Sequence, residues 1–180
     1  MQDYQLQQLS LFDKTHLQEG VYLVLLDALA VPPHLLLIVS GKVFSISTLG
    51  PALDQDFEKY DRLIHKKKIP TIFIKLSLPV VFTQEMLLDK IRSITQSYPR
   101  VDIGIATCLS PIKDFCGEVY QVEKKPVKLV FDLLDGLKKQ NAIESYHHLF
   151  LDQELHNGNI FLNRYSVFEV NEAIHSAKIG

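Results

Sequence analysis

At 180 residues, the chain has the length of one compact domain and is short for two. Hydrophobic residues make up 47% of it and charged residues 22%, which is typical of a soluble globular protein and excludes a disordered or fibrous chain. The formal net charge of −2 provides no overall positive field, so the composition argues against nucleic-acid binding. We therefore expect a single domain over residues 1–180.

Two cysteines, Cys108 and Cys116, are too few for a disulfide framework, and we expect reduced thiols. The first residues have neither a basic start nor an apolar run, so the sequence predicts no secretory signal and a cytoplasmic location. The most apolar window, residues 21–39, is interrupted by Asp27, two prolines and His34. These interruptions predict two buried strands rather than a membrane-spanning helix.

In chain order, residues 1–19 are weakly patterned and predict a short helix or an arm. The nearly continuous apolar run over residues 21–26 predicts a buried strand. Residues 34–39 and 42–48 flank the pair Ser40-Gly41, a combination that predicts a β-hairpin with a tight turn.

The register of this hairpin can be counted from its turn. If Ser40-Gly41 is the two-residue loop, Val39 pairs with Lys42, and Ser47 lies opposite His34. Ser45 is then a diagonal neighbour of His34.

The remaining elements are predicted from hydrophobic spacing, helix caps and turn residues. They are a helix over 53–65, a strand over 69–76, a helix from a Thr83 cap to 98, a helix starting near Ser110-Pro111, a helix over 127–137, a turn at 157–159, and a strand or hairpin over 160–170.

Four segments, in this order, resemble the circularly permuted NlpC-type papain-like cysteine hydrolases, which are related to the lecithin retinol acyltransferases. They are LQEGVY (17–22), PHLLLIV (33–39) with the following Gly41-Lys42, FCGEVY (115–120), and LDQEL (151–155) with the following Ile160-Phe161-Leu162. The order is informative, because ordinary papain-like enzymes place the cysteine before the histidine, whereas the permuted branch places the histidine first. The resemblance implies an α+β fold, in which an antiparallel sheet or partial barrel packs against helices.

The resemblance also implies a catalytic site with Cys116 as the nucleophile and His34 as the general base. A thiol needs an adjacent imidazole or a helix N-terminus to form the thiolate that attacks a carbonyl. A third polar group normally orients the imidazole, and at the corresponding position this chain offers only Ser47 or Ser45. Cys108 is the alternate nucleophile, because it lies just ahead of a helix-start signature.

Structural interpretations compete with these assignments. Cys116 shares an apolar stripe with its helical neighbours and could be an inert core thiol. His34 could be a structural histidine at a strand start. The histidines His147, His148 and His156 match no metal-ligand spacing and are more typical of a solvated loop.

The chain contains no phosphate-binding loop, GxGxxG, GxSxG or HExxH motif, so no cofactor or metal is predicted. The leading hypothesis is a cysteine hydrolase of a peptide-like amide bond. One alternative is a non-catalytic binding module of the same fold, and another is an acyltransferase or thioesterase acting on an acyl small molecule.

Overall fold

The structure is a computed structural model that describes residues 3–179. The predictions for residues 1–19 and 1–180 also include positions 1, 2 and 180, which lie outside the described residues. The strands are β1 (Tyr4–Leu6), β2 (Ser10–Leu11), β3 (Val21–Leu26), β4 (His34–Val39), β5 (Lys42–Ser47), β6 (Gly50–Asp56), β7 (Thr71–Leu76), β8 (Ile143–Leu149) and β9 (Ile160–Leu162). The helices are α1 (Phe57–Lys67), α2 (Gln84–Gln96), α3 (Leu109–Tyr120), α4 (Val130–Lys139) and α5 (Val167–Ile179), and Lys14–Glu19 forms a 3₁₀ helix.

Seven strands form one sheet in the order β2-β8-β7-β3-β4-β5-β6, and β1 pairs with β9 in a separate two-stranded sheet. The large sheet is mixed, because β2 runs parallel to β8 while every other recorded pairing is antiparallel. Its two edge strands do not pair with each other, so the sheet is open. The fold is therefore α+β, as expected, with a mixed sheet of seven strands that is not closed into a barrel.

Helices cover both faces of this sheet. On one face, α2, α3 and α4 pack on side chains such as Leu23 and Leu37. On the other, α1 and the 3₁₀ helix pack on side chains such as Val24 and Leu36. Because successive strand residues point to opposite faces, a strand covered on both sides must be apolar along its whole length. This is why β3 and β4 read as continuous apolar runs.

The predicted hairpin is present, and its turn has the predicted register. Val39 pairs with Lys42, and the recorded ladder continues to Leu37 opposite Phe44. Ser40 and Gly41 both have positive φ, of 49° and 76°, as a two-residue hairpin turn requires.

Two of the element predictions are wrong in part, and one strand was missed. Residues 53–56 belong to β6 and not to the helix, which begins only at Phe57. β8 was not predicted, although it lies inside the large sheet. Of the residues 160–170, only the first three form a strand, and α5 starts at Val167.

The helix α5 begins with a capping box. The backbone N–H and the hydroxyl of Ser166 both donate to the Glu169 carboxylate, and the backbone N–H of Glu169 donates back to the Ser166 hydroxyl. Along the helix, Ile174 is the only described side chain that is fully buried. Among residues 3–179, no helix is both long and apolar enough to cross a membrane.

Candidate functional site

A groove of about 220 Å³ lies at the open end of the β4–β5 hairpin, away from the Ser40-Gly41 turn. It brings together His34 at the start of β4, Ser47 at the end of β5, and Cys108 immediately before α3. Two of these residues, His34 and Cys108, are a potential base and a potential nucleophile. This groove is therefore the candidate active site.

Cys108 is the residue that precedes the first turn of α3, and it is partly exposed. Thr107 fixes this start, because its hydroxyl accepts a hydrogen bond from the Leu109 backbone N–H at 3.2 Å, while the Ser110 hydroxyl accepts one from the Thr107 backbone N–H at 2.9 Å. The backbone N–H groups of Leu35, Cys108 and Leu109 lie close enough to the thiol to favour its ionised form. Since Leu35 follows His34 directly, the sulfur lies against the same stretch of β4 that carries the histidine.

Burial decides the protonation state of both groups. It raises the pKa of the Cys108 thiol, and the three backbone N–H groups, which favour the thiolate, only partly offset it. Burial also lowers the pKa of the His34 imidazole. At neutral pH the groove therefore holds a neutral thiol and a neutral imidazole, and a neutral imidazole is able to accept a proton.

The position of His34 at the strand end is what gives it access to the groove. Strand alternation assigns Leu35 to the face covered by α3 and assigns His34 with Leu36 to the opposite face. The groove, however, runs past the ends of β4 and β5, where Pro33 and Thr48 also line it. His34 borders it there as the first residue of its strand, and it makes no side-chain hydrogen bond to any residue in the range 3–179.

Cys116, the nucleophile that the resemblance implied, is in a different environment. Its exposed fraction is 0%, and it packs in the core among side chains such as Ile112, Val119 and Leu134. Burial alone raises the pKa of its thiol far above the usual range. Because α3 begins at Leu109, Cys116 lies two turns inside the helix, away from the N-terminal N–H groups. This environment is that of a core thiol and disfavours Cys116 as the nucleophile, so the alternate nucleophile Cys108 is the better candidate.

Neither predicted orienting serine is hydrogen-bonded to the His34 side chain. The Ser47 hydroxyl accepts a hydrogen bond from the Leu49 backbone N–H at 3.2 Å and donates to the Gly50 carbonyl, so it stabilises the β5–β6 turn. Ser45 is buried, and its hydroxyl lies beside that of Tyr60. Within residues 3–179, no side chain therefore orients His34 through a hydrogen bond.

The prediction of a solvated loop for His147 and His148 is wrong, because both lie in β8. Both ring nitrogens of His147 are hydrogen-bonded: Nδ1 to the Ser10 hydroxyl at 2.9 Å and Nε2 to the Ser145 hydroxyl at 2.8 Å. His148 is buried. Among the described residues, no three His, Cys, Asp or Glu side chains come together as a metal-binding group.

Sequence reasoning missed one wall of the groove. That wall is the face of α5 that carries Val170, Ala173, Ile174 and Ala177. Ile46 and Val101 also line the groove. The prediction of a strand over 160–170 concealed this helix. The Ser166-x-x-Glu169 spacing, which is typical of a capping box, was the signal that could have revealed it.

Taken together, these elements define an α+β protein with an open mixed sheet and a groove that holds a cysteine and a histidine. Comparison with protein-family models, with curated proteins and with solved structures gives no match to this chain.

Proposed function

We propose that the protein is a cysteine hydrolase of a small amide, ester or thioester, with Cys108 as the nucleophile and His34 as the general base. The observation that carries the proposal is that a partly exposed cysteine at the start of a helix and a histidine whose side chain makes no hydrogen bond within residues 3–179 border the same groove. The papain-like, circularly permuted fold belongs to this proposal. The order of histidine before cysteine supports it, with Cys108 taking the place first assigned to Cys116.

In the first half of the reaction, the imidazole of His34 accepts the thiol proton as the sulfur forms a bond to the carbonyl carbon. The oxygen then carries the negative charge. At the start of α3 the backbone N–H groups of Leu109 and Ser110 are hydrogen-bonded to Thr107, and Pro111 has no N–H, so the backbone N–H of Cys108 is the group that remains to stabilise it. When the tetrahedral intermediate collapses, the imidazolium donates its proton to the leaving amine, alcohol or thiol, and the acyl group remains on the sulfur as a thioester.

In the second half, His34 accepts a proton from water, and the hydroxide attacks the thioester carbonyl. The sulfur leaves as thiolate and regains its proton from the imidazolium. The raised pKa of Cys108 and the lowered pKa of His34 fit a mechanism that starts from two neutral groups, and do not fit a preformed thiolate–imidazolium pair.

A non-catalytic binding module is the second candidate. It is favoured by one observation, namely that the hydroxyls of Ser47 and Ser45 are engaged away from His34, so that the base has no orienting partner.

Alkylation of the thiols separates these candidates. The rate of iodoacetamide labelling, followed by intact mass between pH 5 and 9, is measured for the wild-type chain and for Cys108→Ala, Cys116→Ala and His34→Gln. If His34 is the base, native protein takes up one label at Cys108, and His34→Gln slows labelling at pH 7 by about ten-fold or more. His175→Gln, a histidine change on the exposed side of α5, is the matched control and leaves the rate unchanged.

Hydrolysis of 4-nitrophenyl acetate provides the catalytic readout. We expect it to require both Cys108 and His34 and to be unaffected by Cys116→Ala, provided that this variant folds. Equal labelling rates in wild type and His34→Gln, together with no turnover above the Cys108→Ala background, would falsify the hydrolase proposal and support the binding module.

A further inference from the structure

The chemistry of the groove walls points to the part of the substrate that binds there. None of the residues that line the groove carries an acidic or a permanently cationic side chain. Apart from Cys108, His34 and three uncharged hydroxyl residues, the lining side chains are apolar, among them Ile46, Val101 and Val170; the hydroxyl residues are Ser47, Thr48 and Thr107. A charged group placed in this groove would lose hydration without gaining an ion-pairing partner, whereas an apolar group would gain by leaving water.

The wall contributed by α5 includes two small residues. Ala173 and Ala177 are one turn apart and both line the groove, with Ile174 beside them in the core below. Two methyl side chains at successive turns leave an open strip along the helix, and larger side chains there would fill it.

In the proposed reaction, the acyl group stays attached to the sulfur of Cys108 until water attacks. The acyl portion is therefore the part of the substrate that gains most from a site adjoining the thiol, and the leaving group is free to depart towards solvent.

We propose that the groove binds an uncharged, apolar acyl chain, and that Ala173 and Ala177 determine the length of chain it accepts. This inference rests on the proposed function, because an acyl chain is attached to the Cys108 sulfur only in the acyl-enzyme of that reaction. The groove excludes carboxylate-bearing and ammonium-bearing chains.

The test measures the selectivity of the Cys108 thiol and requires no turnover. Alkyl methanethiosulfonates (methyl, ethyl, propyl and butyl) convert the thiol to a mixed disulfide with release of methanesulfinate and a proton, so the alkyl chain becomes attached to the sulfur. Two charged reagents of similar size carry a sulfonate or a trimethylammonium group. Each rate at the full-length protein is divided by the rate of the same reagent with 2-mercaptoethanol.

We expect the corrected rate to rise about two- to four-fold for each added methylene, because the groove would bury part or all of that methylene. We expect both charged reagents to react about ten-fold or more slowly than the propyl reagent. Ala173→Phe should abolish the dependence on chain length while changing the rate of the methyl reagent by less than about two-fold. Ala177→Leu provides the same test one turn further along α5, should Ala173→Phe fail to fold.

The matched control is His175→Phe, which adds the same ring to the exposed side of the same helix and should leave the selectivity intact. Cys116 reports on the integrity of each variant, because it stays unlabelled while the core is closed. Corrected rates that do not depend on chain length in wild type, or charged reagents that match the neutral ones, overturn the inference. A different result would separate the two proposals. If the dependence on chain length persists but His34→Gln has no effect on the alkylation rate, the inference of an apolar groove stands and the hydrolase proposal is overturned.

Discussion

The ammonium group of Lys178 donates a hydrogen bond to the carboxylate of Asp102, and this contact ties the last turn of α5 to the segment between α2 and α3. The contact keeps the pKa of Asp102 below its usual range. Asp102 directly follows Val101, which lines the groove. The ion pair and the buried side chain of Ile174 are thus the main attachments of the groove wall.

Loss of this ion pair is expected to make Cys108 more accessible. Lys178→Gln should raise its labelling rate by a bulky maleimide roughly two- to five-fold, because exposed ion pairs contribute modestly and the helix keeps its apolar anchor. Salt at 1 M should have a similar effect in wild type, since it screens the exposed pair.

The control is Lys75→Gln, which removes an ion pair with Glu144 that borders a different groove. An unchanged maleimide rate in Lys178→Gln, or an equal increase in Lys75→Gln, would show that the contact with Asp102 does not restrict access to the thiol.

Changing Cys116 is expected to affect stability and not reactivity. Cys116→Ser buries a hydroxyl among hydrocarbon side chains, so we expect the free energy of unfolding in urea to fall by about 1–3 kcal/mol. Cys116→Ala leaves no unsatisfied polar group and should cost less. The iodoacetamide rate at Cys108 should remain that of wild type in both variants, and a drop in that rate with the fold intact would return Cys116 to the site.

Acid should destabilise the protein in part through His34. Because burial lowers the folded-state pKa of this histidine, the unfolded chain binds its proton more readily. Its contribution to stability is therefore fully present well above the unfolded pKa of about 6.5, and it decreases as the pH falls from there towards the folded-state pKa.

His34→Gln should accordingly show a smaller loss of unfolding free energy than wild type between pH 7.5 and pH 5.5. His147 contributes in the same direction, since its pKa is also lowered by burial. The exchange His175→Gln serves as the reference. The same pH dependence in wild type and His34→Gln would show that His34 is not buried in its neutral form.

The capping box of α5 predicts a local effect. Ser166→Ala removes a hydroxyl that both donates to Glu169 and accepts from its backbone N–H, a change that typically costs about 0.5–2 kcal/mol. Hydrogen exchange should become faster over residues 167–178 while the protection of β3 and β4 is unchanged. Uniformly faster exchange would mean that α5 and the sheet open as one unit.

The sequence was sufficient for the hairpin and for the start of α3, because both depend on local chemistry. Ser40-Gly41 supports the positive φ values of the turn, and Ser110-Pro111 favours a helix start. The identity of the groove cysteine also depended on that start. With α3 beginning at Leu109, Cys108 lies at its N-terminus and Cys116 lies within the core.

Other features depend on tertiary contacts that no local pattern contains. Asp54 adopts a positive φ within β6 and accepts two hydrogen bonds from Arg92 of α2. Residues 53–56, which belong to a segment with helical hydrophobic spacing, therefore form part of a strand. In β8, Ser145 and His147 are partly buried and bonded to each other, a polar pair that conceals the alternation expected of a strand.

The two sides of the groove differ in how firmly they are held. The β4–β5 side belongs to strands buried by helices on both faces, so its atoms can shift only if the surrounding core shifts too. The α5 side is attached by one buried side chain, Ile174, by the partly buried Val170, and by the ion pair of Lys178 with Asp102. Ligands of different sizes would therefore be accommodated by movement of the C-terminal helix, while the positions of Leu35 and the sulfur stay fixed.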